Sequence, residues 1–222
     1  MTIRAKLYAA IILTILGPLA TIGVALTAQA DLGDRFAEVR ESGRHAALGL
    51  QLKFGVTDVN GWQTAYGYDS GRSRPTFERS VATFRRDLDR ADATLTDPAE
   101  RELLGELRRE FARFMRLDRI AYAALQDGRE EVTKRIFLGP ELESFQAMAA
   151  TAERLVRVAQ RRAVAAEQAF DDERDDARKR LIAVALAAGF VIVLLLVTAG
   201  DVARMALEGE RHVRGRSSRS GD

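Results

Sequence analysis

The sequence predicts an all-α protein in which an up-down-up-down four-helix bundle lies between two transmembrane helices. Three observations lead to this class. Two long stretches, residues 7–30 and 181–200, hold no charged residue. Between them, apolar residues recur at helical spacing in four segments. A strand-like signal is confined to one place, the Asn-Gly pair at residues 60–61.

The first uncharged stretch, residues 7–30, is expected to be a membrane-spanning helix. A helix needs about 20 apolar residues to span a bilayer, whereas the apolar region of a signal peptide usually holds about 7–15. The Ala-Gln-Ala sequence at residues 28–30 resembles a cleavage site, so a cleaved leader is the alternative. The Gly-Pro pair at residues 17–18 predicts a kink within the span.

Helical periodicity continues beyond this stretch in three further segments. The first carries two adjacent apolar stripes, namely Phe36, Val39, Gly43, Leu50, Phe54 and Leu48, Leu52, Gly55, Val59, Trp62, Tyr66. The second, which begins near Pro75, has a seam of Phe77, Val81, Phe84, Leu88, Ala91 and Leu95. The third has a seam of Leu104, Leu107, Phe111, Phe114, Leu117, Ala121 and Leu125. Each seam must be covered, which favours packing of these helices on one another.

Short breaks separate the helices. In the sequence Thr-Asp-Pro-Ala-Glu, Asp97 is expected to cap the third helix, with Pro98 at its first position and Glu100 bonding back to the cap. Because this link is short, the second and third helices are expected to be antiparallel. Gly128 predicts the end of the third helix, and a short helix over 129–137 is expected to follow.

The last helix is predicted to start at Pro140 and to continue without a break into residues 181–200. Its a/d pattern comprises Leu142, Phe145, Ala149, Ala152, Val156, Ala159, Ala163, Ala166, Phe170, Glu173, Ala177 and Val184. Small seam residues let helix backbones approach closely, either inside the bundle or between subunits. We expect a parallel homodimer with contacts along Ala152, Ala159 and Ala166.

The segment over residues 55–69 allows two interpretations. Its Asn-Gly pair between β-forming residues is a strong hairpin signal. However, residues 56–59 do not alternate, and four positions share one helical face: Asp58, Trp62, Tyr66 and Asp69. The pattern therefore favours a helix weakened at Gly61, with a hairpin as the alternative.

Composition argues against several functions. The formal net charge is +2, and basic residues alternate with acidic ones, so no nucleic-acid partner is expected. The chain has no cysteine and two histidines, His45 and His212, which are expected at the surface. No metal-ligand set, phosphate loop or nucleophile–base arrangement is found in the sequence, so we expect no metal, no cofactor and no catalytic residues, and not an enzyme.

The sequence resembles one bacterial family. The sequence DVNGWQTAYGYD at Asp58 to Asp69, the sequence FLGPE at Phe137 to Glu141 and the flanking spans are similar to the four-helix-bundle sensor half of methyl-accepting chemotaxis receptors. This resemblance covers residues 1 to about 200. It implies a homodimer in the cell membrane that senses a small molecule outside the cytoplasm and relays a shift of its last helix inward.

The resemblance also implies that both termini are cytoplasmic. The expected organisation is then a cytoplasmic segment (1–6), a first span (7–30), an extracytoplasmic bundle (31–180), a second span (181–200) and a short basic tail (201–222). Such receptors continue into a HAMP relay and a long signalling hairpin, which the last segment does not match. We expect a form truncated before its output domain, with a disordered end over 214–221, that acts through a partner such as a complete receptor in a mixed dimer.

Six residues are candidate ligand-binding groups: Asp58, Asn60, Trp62, Gln63, Tyr66 and Asp69. Aromatic rings stack on solutes while carboxylates and amides supply charge and hydrogen bonds. The alternative is that the aromatic residues only fill one end of the bundle. Asp118 falls near the seam of the third helix and is expected to be partly buried beside a partner arginine. The acidic run at residues 171–176 is expected to be a solvated face.

The function that these features favour is a transmembrane, chemoreceptor-like sensor of a small solute. The alternative is a two-span structural or modulatory protein that pairs with another membrane protein and senses nothing itself.

Overall fold

The computed structural model describes residues 3–217, which form helices and short turns without any strand in that range. The predicted all-α class is therefore confirmed. The elements are α1 (Ile3–Tyr68), α2 (Arg74–Thr94), α3 (Pro98–Gln126), α4 (Glu130–Ile136), a π-helical turn (Phe137–Glu141) and α5 (Leu142–Ser217).

The chain divides into two compact units. We call them the terminal unit, which combines Met1–Asp34 with Phe170–Asp222, and the central unit, Arg35–Ala169. The central unit lies within the range 31–180 that the sequence predicts for the folded domain. Helices α1 and α5 contribute to both units.

The terminal unit contains the two apolar stretches. Helices α1 and α5 are each long and apolar enough to cross a membrane, by length and composition. Large apolar side chains are exposed along both stretches, for example Leu19, Leu26, Phe190 and Leu196. Exposed apolar surface of this kind is typical of contact with lipid or with other proteins. Residues 171–176 are mostly exposed as well, with Glu173 half-buried, in line with the predicted solvated face.

The core of the central unit draws on four helices. Its buried residues include Leu52 and Tyr66 of α1, Phe77 and Phe84 of α2, Leu107 and Phe114 of α3, and Met148 and Leu155 of α5. One predicted stripe of α1 faces this core, whereas Leu50 and Phe54 of the other stripe are exposed. The reason is geometric, since a helix that packs in a small core buries one face and not two adjacent ones.

The start of α3 follows the sequence prediction in part. The Asp97 carboxylate accepts hydrogen bonds from the backbone N–H groups of Ala99 (2.9 Å) and Glu100 (3.1 Å), as expected of an N-cap. The Glu100 side chain does not bond back to the cap. It is fully buried, with Oε2 placed 2.8 Å from Nδ1 of His45.

The prediction that His45 lies at the surface is therefore wrong. Its side chain is 1% exposed because the Glu100 carboxylate supplies a hydrogen-bond partner inside the core. The two residues are 55 positions apart, on α1 and α3, so no local pattern links them. The side chain of His212 lies outside the part of the chain whose side chains the structure describes.

Helix α5 begins two residues later than predicted. The π-helical turn contains Gly139 in a non-helical conformation (φ −115°, ψ −108°), and regular helix resumes at Leu142. The tail also differs from expectation, because α5 continues to Ser217 where disorder was expected from residue 214. Most residues of the last turns, including Arg, Ala, Leu and Glu, are good helix formers. Residues 218–222 lie outside the described residues.

The seam predicted for α5 is confirmed in part. Ala152, Val156 and Ala159 are buried as predicted, but Leu142 is 38% exposed, and Met148 and Leu155 were missed. The alanines are covered within their own chain, so the small residues serve close packing inside the central unit. This burial leaves Ala152 and Ala159 without exposed surface for a second subunit, and the homodimer itself stays a prediction.

Two glycines of α1 provide a stability test. A Cβ added at Gly55 would overlap the buried ring of Phe84, whereas one at Gly61 meets nothing within 4 Å. Gly55→Ala should therefore destabilise the protein by about 1–3 kcal/mol through overpacking. Gly61→Ala should stabilise it by up to about 1 kcal/mol because alanine favours the helix. Chemical denaturation of the full chain in detergent, followed by circular dichroism, measures both; equal effects would contradict the close α1–α2 approach.

Candidate functional site: a buried acidic cluster

The segment over residues 55–69 is helical as far as Tyr68. It forms the last turns of α1, which end at Tyr68, and Gly61 lies inside the helix on its exposed side. The interpretation as a helix is confirmed and the hairpin alternative is wrong. Propensity for a turn at one Asn-Gly pair is outweighed here by apolar residues on both sides that bury one helical face.

The six candidate residues do not form one group. Trp62 is 38% exposed, and its Nε1–H donates to Oδ1 of Asp58 at 3.1 Å. Asp58 also accepts a hydrogen bond from the hydroxyl of Ser80 on α2. Asn60 is half-buried on the same helix. Asp58 and Trp62 lie at the surface along the α1–α2 contact.

Asp69 has a local structural role. Its carboxylate accepts hydrogen bonds from the Ser73 hydroxyl (2.6 Å) and the Ser73 backbone N–H (3.1 Å). These bonds, the hydroxyl's first, hold the pKa of Asp69 below its usual range. They brace the turn between α1 and α2, in which Ser70 (φ +57°) and Gly71 (φ +93°) are left-handed.

Tyr66 lies in the core. Its ring packs edge-on against Phe77 (centroids 5.3 Å apart), Tyr122 (5.6 Å) and Phe137 (5.9 Å). Its hydroxyl donates to Oδ1 of Asp118 on α3. Burial, followed by the charge of Asp118, raises the pKa of Tyr66 far above its usual range. The ring therefore fills the core of the central unit, as the alternative supposed, and its hydroxyl also reaches a charged group.

Asp118 is paired with an arginine, as the sequence predicted, and is fully buried where partial burial was expected. Nη1 of Arg74, the first residue of α2, donates to Oδ1 of Asp118 at 2.8 Å. The guanidinium carbon also lies 4.3 Å from the ring centroid of Tyr122, 4.6 Å from that of Phe77 and 4.9 Å from that of Tyr66. A cation in contact with three aromatic faces is stabilised by their quadrupoles.

Glu141 completes the cluster. It ends the π-helical turn before α5, is 1% exposed, and neither of its carboxyl oxygens has a hydrogen-bond partner within the protein. Burial and the negative charge of Asp118 raise its pKa to about 8, against an opposing effect of Arg74. We call Tyr66, Arg74, Asp118 and Glu141 the acidic cluster.

The sequence analysis missed Arg74 and Glu141. Glu141 sits beside Pro140 and near the exposed Glu143, and nothing local separates the buried glutamate from the exposed one. Gln63, one turn before Tyr66, is buried as well, and its Nε2 has no partner within the protein. The structure thus brings Tyr66 of the six candidates into the cluster and places Gln63 on the same face of α1.

Comparisons of the chain with protein-family models, with curated proteins and with solved structures find no match. The similarity to chemotaxis receptors therefore rests on the sequence motifs alone.

The raised pKa of Glu141 predicts a pH dependence of stability. Between about pH 4.5 and about pH 8 the folded protein holds a proton on Glu141 that the unfolded chain releases, so stability falls as pH rises through this window. Glu141→Gln keeps the neutral form at every pH and should remove roughly 2–4 kcal/mol of that loss. Thermal unfolding of the full chain in nanodiscs, followed by the fluorescence of Trp62, measures the difference.

Glu143→Gln is the matched control, because Glu143 is exposed on the next turn. It should unfold with the pH profile of the wild type. Parallel profiles for wild type and Glu141→Gln would contradict the burial of an unpaired carboxyl at position 141.

Proposed function

We propose that the chain is a transmembrane sensor whose central unit is an extracytoplasmic, up-down-up-down four-helix bundle that binds a small solute. It is similar in plan to the sensor half of methyl-accepting chemotaxis receptors. Residues 7–30 and 181–200 cross the cell membrane, and both termini lie in the cytoplasm.

The helix directions are supported by the order of contacts within the central unit. Gln51 bonds Asp87, and seven residues further along α1, Asp58 bonds Ser80, seven residues earlier on α2. These two helices are therefore antiparallel. Helices α1 and α3 are joined by His45–Glu100 and, further along both helices, by Tyr66–Asp118, so these two helices run parallel. Helix α5 opposes α3 through bonds at 144–110 and 154–106.

The acidic cluster is the observation that carries the sensor proposal. It joins α1 through Tyr66, α2 through Arg74 and α3 through Asp118. Glu141, which directly precedes α5, interacts electrostatically with Asp118 and Arg74. A buried polar group without a partner costs about 1–3 kcal/mol, and buried ion pairs are often replaceable by apolar residues without loss of stability. A bundle selected only for stability gains nothing from this arrangement, whereas perturbed carboxyl groups are typical of functional sites.

The position of Glu141 supports a route for the signal. It directly precedes α5, the helix that also contains the apolar stretch 181–200. A ligand that binds more tightly to one arrangement of the cluster shifts the equilibrium toward that arrangement, by no more than the difference in its two affinities. The π-helical turn with its non-helical Gly139 is the element at which α5 changes position.

A second function, association with another membrane protein without sensing, is favoured by a different observation. Phe54 is 73% exposed on α1, next to the exposed Leu50. Exposed apolar residues of this size are typical of protein contacts. The face serves either a homodimer or a mixed dimer with another receptor chain, and this association is compatible with sensing.

A ligand screen on the full chain in nanodiscs separates the two functions. A solute at 100 times its dissociation constant should raise the free energy of unfolding by about 2.7 kcal/mol. In Asp118→Asn, the solute should no longer stabilise the protein relative to the ligand-free variant, because the cluster loses the negative charge of Asp118. Glu102→Gln, which removes an exposed carboxylate from the same helix, should retain it.

Stabilisation that persists in Asp118→Asn would place the ligand elsewhere and contradict the sensor site. If no solute in a broad library stabilises the wild type while Phe54→Cys forms disulfide-linked pairs in membranes, the non-sensing function stands instead.

A further inference from the structure

We propose that the acidic cluster is a binding site for a small organic cation, of the guanidinium or alkylammonium class, which takes the place of the Arg74 guanidinium. This inference rests on the proposed sensor function and deepens it by naming the class of ligand.

The first argument is the balance of unpaired atoms. Among the described residues around the cluster, three carboxyl oxygens lack a hydrogen-bond partner within the protein: Oδ2 of Asp118 and both oxygens of Glu141. One unpaired donor, Nε2 of Gln63, lies on the same face of α1. An occupant that suits this set has many donors and a positive charge. An anion would meet two carboxyl groups and a single arginine.

The second argument is the shape of the site. The rings of Tyr66, Phe77 and Tyr122 surround a planar cation at 4.3–4.9 Å, with Asp118 at one edge. Aromatic rings together with a carboxylate are a common means of binding organic cations. The Arg74 guanidinium shows that a planar group of this size fits between the rings, and a ligand of the same chemistry makes the same contacts.

The third argument is that Arg74 has another partner outside the core. Its Nε donates to Oε1 of Glu78 at 3.2 Å, and the Glu78 side chain is 64% exposed. Arg74 is also the first residue after the turn that contains the left-handed Ser70 and Gly71. Withdrawal of Arg74 toward Glu78 keeps its charge paired near solvent while Asp118 accepts hydrogen bonds from the ligand. Strained turn residues of this kind are common next to functional sites.

Ligand binding changes the contacts between the helices, because the ligand, unlike Arg74, is not covalently attached to α2. In the ligand-free protein, one covalently attached cation links α2 to Asp118 of α3. A free cation breaks that link and is able to bond to Glu141 as well as to Asp118, so that it connects the end of the π-helical turn to α3. The proposed exchange therefore replaces a link between α2 and α3 by a link between α3 and the π-helical turn.

Methylguanidine and agmatine are suitable probes, and the full chain in nanodiscs is the sample. Both should bind the wild type saturably, as measured by isothermal titration calorimetry, and acetamide and acetate should not. Arg74→Ala vacates the cage, so its affinity for methylguanidine should rise at least tenfold, and the ligand should restore its thermal stability. Arg85→Ala, which removes an exposed arginine from α2, should bind like the wild type.

Arg74→Lys provides a second variant if Arg74→Ala does not fold, because it retains a positive charge without the planar fork. It too should bind methylguanidine more tightly than the wild type. Adding Asp118→Asn to either variant should abolish binding. Equal affinities in Arg74→Ala, Arg74→Lys and the wild type, or rescue without any binding to the wild type, would overturn the proposed exchange. A different solute that binds in an Asp118-dependent manner would then leave the sensor function intact.

Discussion

The burial of the Asp118 carboxylate constrains one end of the central unit. An ionised carboxylate inside a protein costs several kcal/mol unless it is paired and hydrogen-bonded. Here the partners come from two other helices: the hydroxyl of Tyr66 on α1 and the guanidinium N–H of Arg74 on α2 both donate hydrogen bonds to Asp118. Moving any one of these three helices along its axis would leave a charge unpaired. Asp118 therefore fixes the register of α1, α2 and α3 more specifically than their apolar seams do.

A second buried polar pair joins α1 and α3 several helical turns away from Asp118. His45 and Glu100 bring α1 to the start of α3, where Asp97 caps the helix. Between the two polar contacts lies a continuous apolar core. The two pairs differ in one respect that matters for function, because only the Asp118 contact lies beside a buried carboxyl, Glu141, that no protein group balances. This difference is why we assign sensing to that end.

The sequence predicts the helices well because each one carries an apolar seam and a local start or stop signal, such as Asp97-Pro98 or Gly128. It also predicts that Asp118 is partly buried beside an arginine, since an aspartate near a seam must be paired. It does not identify Arg74 as that arginine, because the contact joins residues 44 positions apart. His45 and Glu141 were missed for the same reason: their burial depends on which helices meet, and periodicity within one helix does not contain that information.

The central claim is that Glu141 is a buried carboxyl without a counter-charge of its own. Carbon-13 NMR of the glutamate carboxyl groups, in the full chain in nanodiscs, tests this claim most directly, with Glu141→Gln used to assign the signal. The account predicts that the Glu141 signal titrates with a pKa of about 8. A midpoint near 4.5, the value for a solvated glutamate, would contradict it, because the carboxyl would then be hydrated or fully paired.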